Sequence, residues 1–488
     1  MSQPWNWPKD VRASSILWAG LIGLAFYCPT LAEASGDSSA PNVILFLADD
    51  QTWFDSGTYG NPDLPTPNID RLAREGMRFD HAFTGTPMCA PTRQQLYTGL
   101  YPVRSGAYPN HSVVSEGTRS LVHHFQDLGY RVGLMGKRHF GPQESFPFEQ
   151  IRSRGGPSSE GFDLKAAQDF IERDPGQPYF LVIAADSPHT PWTEGDRSLF
   201  KAESIEVPGY LVDTPATREA LVHYYAEVTH LDAQLGRVLA LLDEDGEQNN
   251  TIVIYTSEQG ASLPFAKWTL YDAGIRTAFI IRWPEKIAKE TKSDALVEYV
   301  DIVPTLVEAA GGRLSDVDGQ SFLPVVMGQE DTHRDYVFGV QTTRGIIQGT
   351  DYPIRSVRSR RYKLILNLAA ENGFNNMISQ PPNNTILSSW EKIDPDRARS
   401  YTERPAIEFY DLEADPWELH NLAGNPEVAE ILAVHRVRLE EWMQSVGDRG
   451  LETELEALDH MNPVIVERIR KRFGEDALPH PQTSEHEP

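Results

Sequence analysis

The sequence predicts an α/β fold: a large, mostly parallel sheet with helices on both faces, then a smaller C-terminal antiparallel sheet. Three observations carry that expectation. Several short apolar runs are continuous rather than alternating, as strands covered on both faces require. Segments of helical periodicity lie between them. Four of the runs end directly in groups of polar residues. Ligands of such sheets bind beyond the carboxyl ends of the strands, so the four groups can converge on one site.

Residues 1–34 stand apart from the fold. Lys9 and Arg12 precede an apolar stretch at 16–26, and Ala32-Glu33-Ala34 offers small residues for cleavage. This is the pattern of a secretory signal peptide cut after Ala34, so export is expected. The stretch is short and broken by Pro29, so no integral membrane anchor is expected. The first strand, 43–47, runs into Asp49-Asp50, and the second, 131–135, into Gly136-Lys137-Arg138-His139. The third, 179–184, leads to Asp186-Ser187-Pro188-His189, and the fourth, 251–256, to Ser257-Glu258-Gln259-Gly260. Smaller helices are expected at 69–75, 91–100 and 121–127. A long helix starts with Thr214 as N-cap and Pro215 in its first turn, and Gly246 ends it. Along it Leu221, Tyr225, Val228, Leu231, Leu235, Val238 and Leu242 recur at helical spacing. After Gly345 the pattern changes to strands at 361–366 and 407–412 and a helix at 426–446. A polar, proline-bearing tail at 479–488 is expected to be disordered. The chain thus divides into a signal peptide (1–34), a catalytic α/β domain (35–345), a smaller subdomain (346–450) and a C-terminal helix with its tail (451–488).

The 488 residues are 40% hydrophobic and 23% charged, with 44 Lys+Arg against 70 Asp+Glu and a formal net charge of -26. This is globular composition, and it supplies no basic stripe for nucleic acid. It leaves room for an anionic small group, which needs only local cations. Cys28 leaves with the signal peptide, so the mature chain keeps Cys89 alone and no intrachain disulfide is possible. A lone cysteine in an exported chain is either a small buried side chain or chemistry. Asp49, Asp50, Glu258 and Gln259 offer three carboxylates and one amide. Oxygen-only donors suit calcium or magnesium rather than zinc.

Cys89 lies in Pro87-Met88-Cys89-Ala90-Pro91-Thr92-Arg93, with Thr98-Gly99 following. Cys-x-Pro-x-Arg with this Thr-Gly, the earlier Asp-Asp pair and the later Lys-x-His resembles the type I sulfatases. The resemblance runs from Pro41 to Leu422; Tyr97 stands where an aliphatic residue, Phe or Trp is usual, and Glu258-Gln259 where Asp-Asn is usual. It implies an alkaline-phosphatase-like sulfatase fold. It also implies that a separate maturation enzyme oxidises Cys89 to formylglycine, an aldehyde whose hydrate is the nucleophile. The position agrees with that use, because a helix beginning near Cys89 turns unpaired N–H groups toward an anion.

By the same resemblance, Asp49, Asp50, Glu258, Gln259 and position 89 hold one divalent cation, calcium in preference to magnesium. Arg93 holds the nucleophile oxygen, and Lys137 binds sulfate and the formylglycine oxygen. His139 is the base that lets sulfate leave, His189 protonates the leaving atom, and Lys267 binds sulfate. His111, His123, His124 and His223 have no such placement and read as structural. Residues 136–142, then Phe146-Pro147-Phe148, then residues 351–358 with Asn367-Leu368, are similar to the heparan N-sulfatase (sulfamidase) branch. There Arg355 would reach a substrate carboxylate or hydroxyl; the other reading is that these segments pack the second sheet on the first. The implied activity is removal of sulfate from a sulfated sugar, N-sulfoglucosamine, with an O-sulfated polysaccharide as the alternative. Two further classes stay open. A phosphatase or phosphodiesterase of the same architecture would want a Ser or Thr nucleophile and a His/Asp-rich two-metal site. A non-catalytic sulfated-glycan-binding protein would keep Cys89 as a thiol.

Overall fold

In the computed structural model, residues 40–151, 163–244, 246–284 and 286–478 are described; the expected signal peptide and the expected disordered tail at 479–488 lie outside them. The large sheet is built from β1 (Asn42–Ala48), β2 (Met77–Phe83), β3 (Arg131–Gly136), β4 (Glu149–Ile151), β5 (Tyr179–Ala184), β6 (Thr251–Ser257), β7 (Arg276–Arg282) and β8 (Thr291–Glu298). Their spatial order is β4-β3-β5-β1-β6-β7-β2-β8. Only β7 runs against its neighbours; the other pairs are parallel.

The continuous apolar runs follow from burial on both sides. In β1, Val43, Leu45 and Leu47 belong to one hydrophobic cluster and Ile44, Phe46 and Ala48 to another. β6 repeats this, with Ile252 and Ile254 in the first cluster and Val253 and Tyr255 in the second. The first cluster is closed by the helices Leu121–Asp127 and Ile302–Ala309, through Leu121, Val122, Phe125, Ile302, Val303 and Leu306. The second is closed by Pro67–Glu75, Leu164–Glu172 and the C-terminal half of the 30-residue helix Pro215–Glu244. The N-terminal half of that long helix carries Leu221, Tyr225 and Val228 into a third cluster shared with the second sheet.

Four strands of the large sheet, β2, β4, β7 and β8, fall outside the four apolar runs. β2 reads MRFDHAF and β8, at the sheet edge, opens with Thr-Lys-Ser-Asp; less buried positions interrupt both. β7 is buried along nearly its whole length, and its run is interrupted by Arg276 and Arg282 at its ends.

The second sheet is antiparallel, in the order β12-β11-β10-β9, from β9 (Val337–Gln341), β10 (Ile354–Arg358), β11 (Tyr362–Asn367) and β12 (Ile407–Asp411). It begins at Val337, ahead of the change in pattern at Gly345. The helix Ala429–Val446 lays Leu439, Trp442 and Val446 on Val340, Val357, Leu364 and Phe409. Two shorter helices, Leu451–Glu456 and Pro463–Phe473, follow. No helix among the described residues is long and apolar enough to cross a membrane.

Candidate active site

Parallel register brings the ends of four adjacent strands level. Leu47 of β1 lies opposite Ala184 of β5 and Thr256 of β6, and Met135 of β3 lies opposite Ile183. Beyond the ladder, backbone bonds continue the stitching: Lys137 N–H donates to Ala184 O at 2.9 Å, Asp49 N–H to Ser187 O at 3.0 Å and Glu258 N–H to Ala48 O at 3.1 Å. Gly136 makes the first of these turns possible. Its φ is +89°, and a Cβ there would sit 2.0 Å from Ala184 O. Asp49-Asp50, Lys137, His189 and Glu258-Gln259 therefore leave the sheet at one edge.

Cys89 enters from a different element. It is the first residue of the helix Cys89–Thr98, which is buried along its whole length and stopped by Gly99 at φ +70°. Tyr97 anchors this helix by packing edge-on against Phe140 and Phe148, with ring centroids 5.7 and 5.5 Å away, while Phe146 packs on Phe140 at 4.8 Å. The Phe-Pro-Phe segment thus supports the helix that presents Cys89 and Arg93.

Around Cys89 the charges interlock. Lys267 Nζ donates to Asp50 Oδ1 and Oδ2 at 2.7 and 2.6 Å and lies 3.3 Å from Cys89 Sγ. Gln259 Nε2 donates to Asp50 Oδ1 at 2.5 Å and lies 3.3 Å from the same sulfur. Arg93 Nε is 2.6 Å from Glu258 Oε2, while Lys137 Nζ bonds Asp49 Oδ2 and lies 3.7 Å from Glu258 Oε1. His189, whose side chain is 38% exposed, places Nε2 3.7 Å from Asp50 Oδ2 on the open side.

Donor atoms of Asp49, Asp50, Cys89 and Glu258 all lie within 4.8 Å of one another. Asp49 Oδ1 and Gln259 Oε1 are buried oxygens with no hydrogen-bond partner among the described residues. Leaving buried oxygens unpaired is costly, and a hard cation is what such oxygens fit. Burial, then the neighbouring Glu258 carboxylate, push Asp49 up to about 6. Against its own burial, Arg93 and Lys137 pull Glu258 down to about 2. Burial, then the Glu258 charge, raise the Cys89 thiol to about 12, unlike the lowered values of thiolate nucleophiles.

These groups open into a cavity of about 630 Å³, the size of a small-ligand site. Cys89, Lys137, His139, His189 and Lys267 line it together. Trp192, Trp268, Met377, Ile378, Pro382 and Ile386 add an apolar wall, most of it from the segment between β11 and β12, in which Ile386 lies on the short helix Thr385–Trp390. Asp50, His111, His139, Phe265 and Trp268 have positive φ, between 45° and 71°. Such backbone strain in non-glycine residues gathers where the surroundings over-determine a site.

Two residues stand differently from their sequence-based expectations. Arg355 is fully buried and does not line the cavity; its NH2 bonds Asp448 Oδ1 at 2.9 Å and its NH1 bonds Ile354 O at 2.9 Å. Its guanidinium is consumed by a buried pair that ties β10 to the turn after the helix Ala429–Val446, so the substrate contact expected of it has no support in its placement. His111, expected to be structural, lines the cavity with its Nδ1 2.7 Å from His139 Nε2. It sits on a loop with no strand-end or motif context, and nothing in the sequence marks it. The apolar wall was equally hidden, because its segment has no periodicity.

Comparison with known proteins agrees with this geometry. The sulfatase family model matches residues 41–312, and the model of the N-sulphoglucosamine sulphohydrolase C-terminal region matches residues 260–380. An ulvan-active sulfatase of Formosa agariphila is 33% identical over 427 residues, covering 86% of this chain and 83% of that protein. Human N-sulphoglucosamine sulphohydrolase is 28% identical over 459 residues, covering 83% of this chain and 90% of its own. Among solved structures, BT4656 in complex with its substrate D-glucosamine-2-N,6-O-disulfate shares the fold, with a TM-score of 0.66 at 21% identity over 84% of this chain and 99% of that one. With a family match across more than half its length, the chain belongs to the sulfatases, hydrolases of sulfuric esters, near the N-sulphoglucosamine sulphohydrolase branch.

Proposed function

We propose that this sulfatase is exported, is matured at Cys89 by a separate formylglycine-generating enzyme, and removes sulfate from a sulfated sugar. The observation that carries the proposal is the convergence of Lys137, His139, His189 and Lys267 with Cys89 on one cavity. A hydrated aldehyde at position 89 supplies an oxygen nucleophile. One divalent cation, calcium before magnesium, held by Asp49, Asp50, Glu258, Gln259 and position 89, supplies positive charge.

The charge balance supports both. Asp49, Asp50 and Glu258 offset Arg93, Lys137 and Lys267 among the protein groups, all buried except Lys137, which is partly exposed. A dication leaves an excess of positive charge, matched to a sulfate ester anion and a deprotonated nucleophile. Lys137 and Lys267 bind sulfate oxygens, and Arg93 holds the nucleophile oxygen. His189, on the open side of the site, gives a proton to the departing oxygen or nitrogen. His139 takes the proton whose removal lets sulfate leave. The apolar wall with Trp192 and Trp268 covers a sugar ring and excludes water.

The substrate proposed is N-sulfoglucosamine of a heparan-type glycan, supported by the match to the sulphohydrolase C-terminal region, which spans part of the cavity wall. An amine leaving group takes a proton readily, which suits a histidine acid. A second reading, an O-sulfated polysaccharide, is supported by the 33% identical ulvan-active relative. Sulfate release from N-sulfoglucosamine, matched O-sulfated glucosamines and ulvan oligosaccharides decides between them. Peptide mass spectrometry across position 89 tests the chemistry: active protein is expected to carry the aldehyde, and Cys89→Ala to be folded and inactive. Full activity in protein that carries only the thiol overturns the mechanism.

A further inference from the structure

We propose that His111, backed by Asn110, is a positioning residue that keeps one nitrogen of His139 engaged and the other bare. The inference rests on the proposed role of His139 as proton acceptor. The two imidazoles face each other with His111 Nδ1 2.7 Å from His139 Nε2, ring centroids 4.8 Å apart and planes inclined at 44°. On its far side His111 Nε2 lies 3.3 Å from the Asn110 side-chain amide. All three residues line the cavity. His139 Nδ1 is buried and has no hydrogen-bond partner among the described residues. His111 and His139 both hold positive φ, 61° and 45°. Non-glycine residues keep that conformation only when their surroundings impose it.

Between two neutral imidazoles a single proton occupies the hydrogen bond. The partner of one ring nitrogen therefore decides which nitrogen of His139 is bare. With that proton on His139 Nε2, His139 donates to His111 Nδ1. His111 then carries its own proton on Nε2 and donates it to the Asn110 side-chain oxygen. Asn110 Oδ1 is a buried oxygen with no other partner, and half a turn of the amide brings it to face His111. In this arrangement both ring contacts are hydrogen bonds, Asn110 Nδ2 turns to where Oδ1 had stood, and His139 Nδ1 presents a lone pair. That is the form a base requires. Without His111 the ring is free to rotate, and the lone pair can shift to the wrong nitrogen.

The test is steady-state sulfate release by matured protein on N-sulfoglucosamine and 4-nitrophenyl sulfate. His111→Asn places an amide where Nδ1 stood, whereas His111→Phe fills the space with no polar atom. His111→Phe is expected to lower kcat on the order of 10²-fold with KM within about twofold, and His111→Asn to stay within about tenfold of the parent. Thermal melting of both variants should follow the parent. Asn110→Ala should lower kcat in the same direction, and it stands in for His111→Phe should that variant not fold. Equal rates in the Phe and Asn variants, or a loss confined to KM, overturn the positioning role. His139→Ala separates the two levels. Parent-like kcat in His139→Ala overturns the reading of His139 itself. An inactive His139→Ala beside a parent-like His111→Phe overturns the positioning role alone.

Discussion

Lys267 holds both oxygens of Asp50, at 2.7 and 2.6 Å, in a pocket where Asp49 Oδ1 and Gln259 Oε1 have no partner among the described residues. The protein's own cations therefore cover only part of the carboxylate cluster, and the divalent ion proposed for this site would cover the rest. Protein stripped with a chelator is expected to lose sulfate release, to regain it with calcium more fully than with magnesium, and to show one calcium site by calorimetry. Asp50→Ala should abolish that site. Stoichiometric zinc with no alkaline-earth ion in elemental analysis would count against it. Arg355 is the opposite case, an arginine whose partners are all protein. It is fully buried against Asp448, which the Arg355 charge holds below the usual carboxylate range against its own burial. Removing one member of such a pair leaves an unpaired buried charge, so Arg355→Ala is expected to cost about 3–5 kcal/mol in urea unfolding. The kcat/KM of the folded fraction should be unchanged. A raised KM with parental stability would return Arg355 to the substrate.

At the scale of elements, the turn after β3 ties backbone geometry to chemistry. Gly136 at φ +89° sits where a side chain would strike Ala184 O, and the next residue is Lys137. Gly136→Ala is expected to destabilise by at least about 1–3 kcal/mol from the backbone conformation alone. Because the chain must shift to relieve the clash, Lys137 moves off Asp49 and kcat falls with stability. Thermal melting and sulfate release measured on one preparation check both, and a parental kcat would show that the turn does not place Lys137. The central strands were legible because burial on both faces writes an unbroken apolar run, and their ends were legible because the polar groups follow at once. β2 and β8 were not, since less buried positions interrupt both and their polar residues dilute the signal. The Cys89 helix was expected two residues later than it starts, because it is buried on every side and has almost no amphipathic stripe to date its first turn. Cys89, Asp49, Asp50, Lys137 and Lys267 could be picked out because their spacing along the chain forms a motif. His111 and the 377–386 wall reach the cavity only through tertiary folding of loops, which no local pattern records.

Over the whole molecule, two populations of buried groups set the response to pH, and they oppose each other. Asp55 accepts from Tyr224 Oη at 2.8 Å and Asn61 Nδ2 at 3.2 Å, and burial pushes it from an ordinary 3.8 up to about 7. Burial likewise raises Glu298 and Glu454 to about 7. Between about 4 and 7 these groups hold protons in the folded chain that the unfolded chain has released. Their stabilisation is complete below about 4 and is lost as pH rises toward 7. Buried histidines run the other way. Burial, then Arg276 and Arg358, lower His81 from 6.5 to about 3, and burial lowers His124 to about 4. Their contribution is complete above about 6.5 and is lost as pH falls toward 3–4. The two slopes overlap across pH 4–6.5, so the parent's stability should be nearly flat there and drop below pH 4. A single substitution exposes the hidden slope. Asn at position 55 keeps the shape and never ionises, so the stability of Asp55→Asn relative to the parent should rise from pH 4 to pH 7. One pKa unit corresponds to about 1.4 kcal/mol, which sets the rise at up to roughly 4 kcal/mol. Urea unfolding at pH 4.5 and 7.5 measures it, and an unchanged difference between the two would mean that Asp55 is already ionised in the folded protein at pH 4.5.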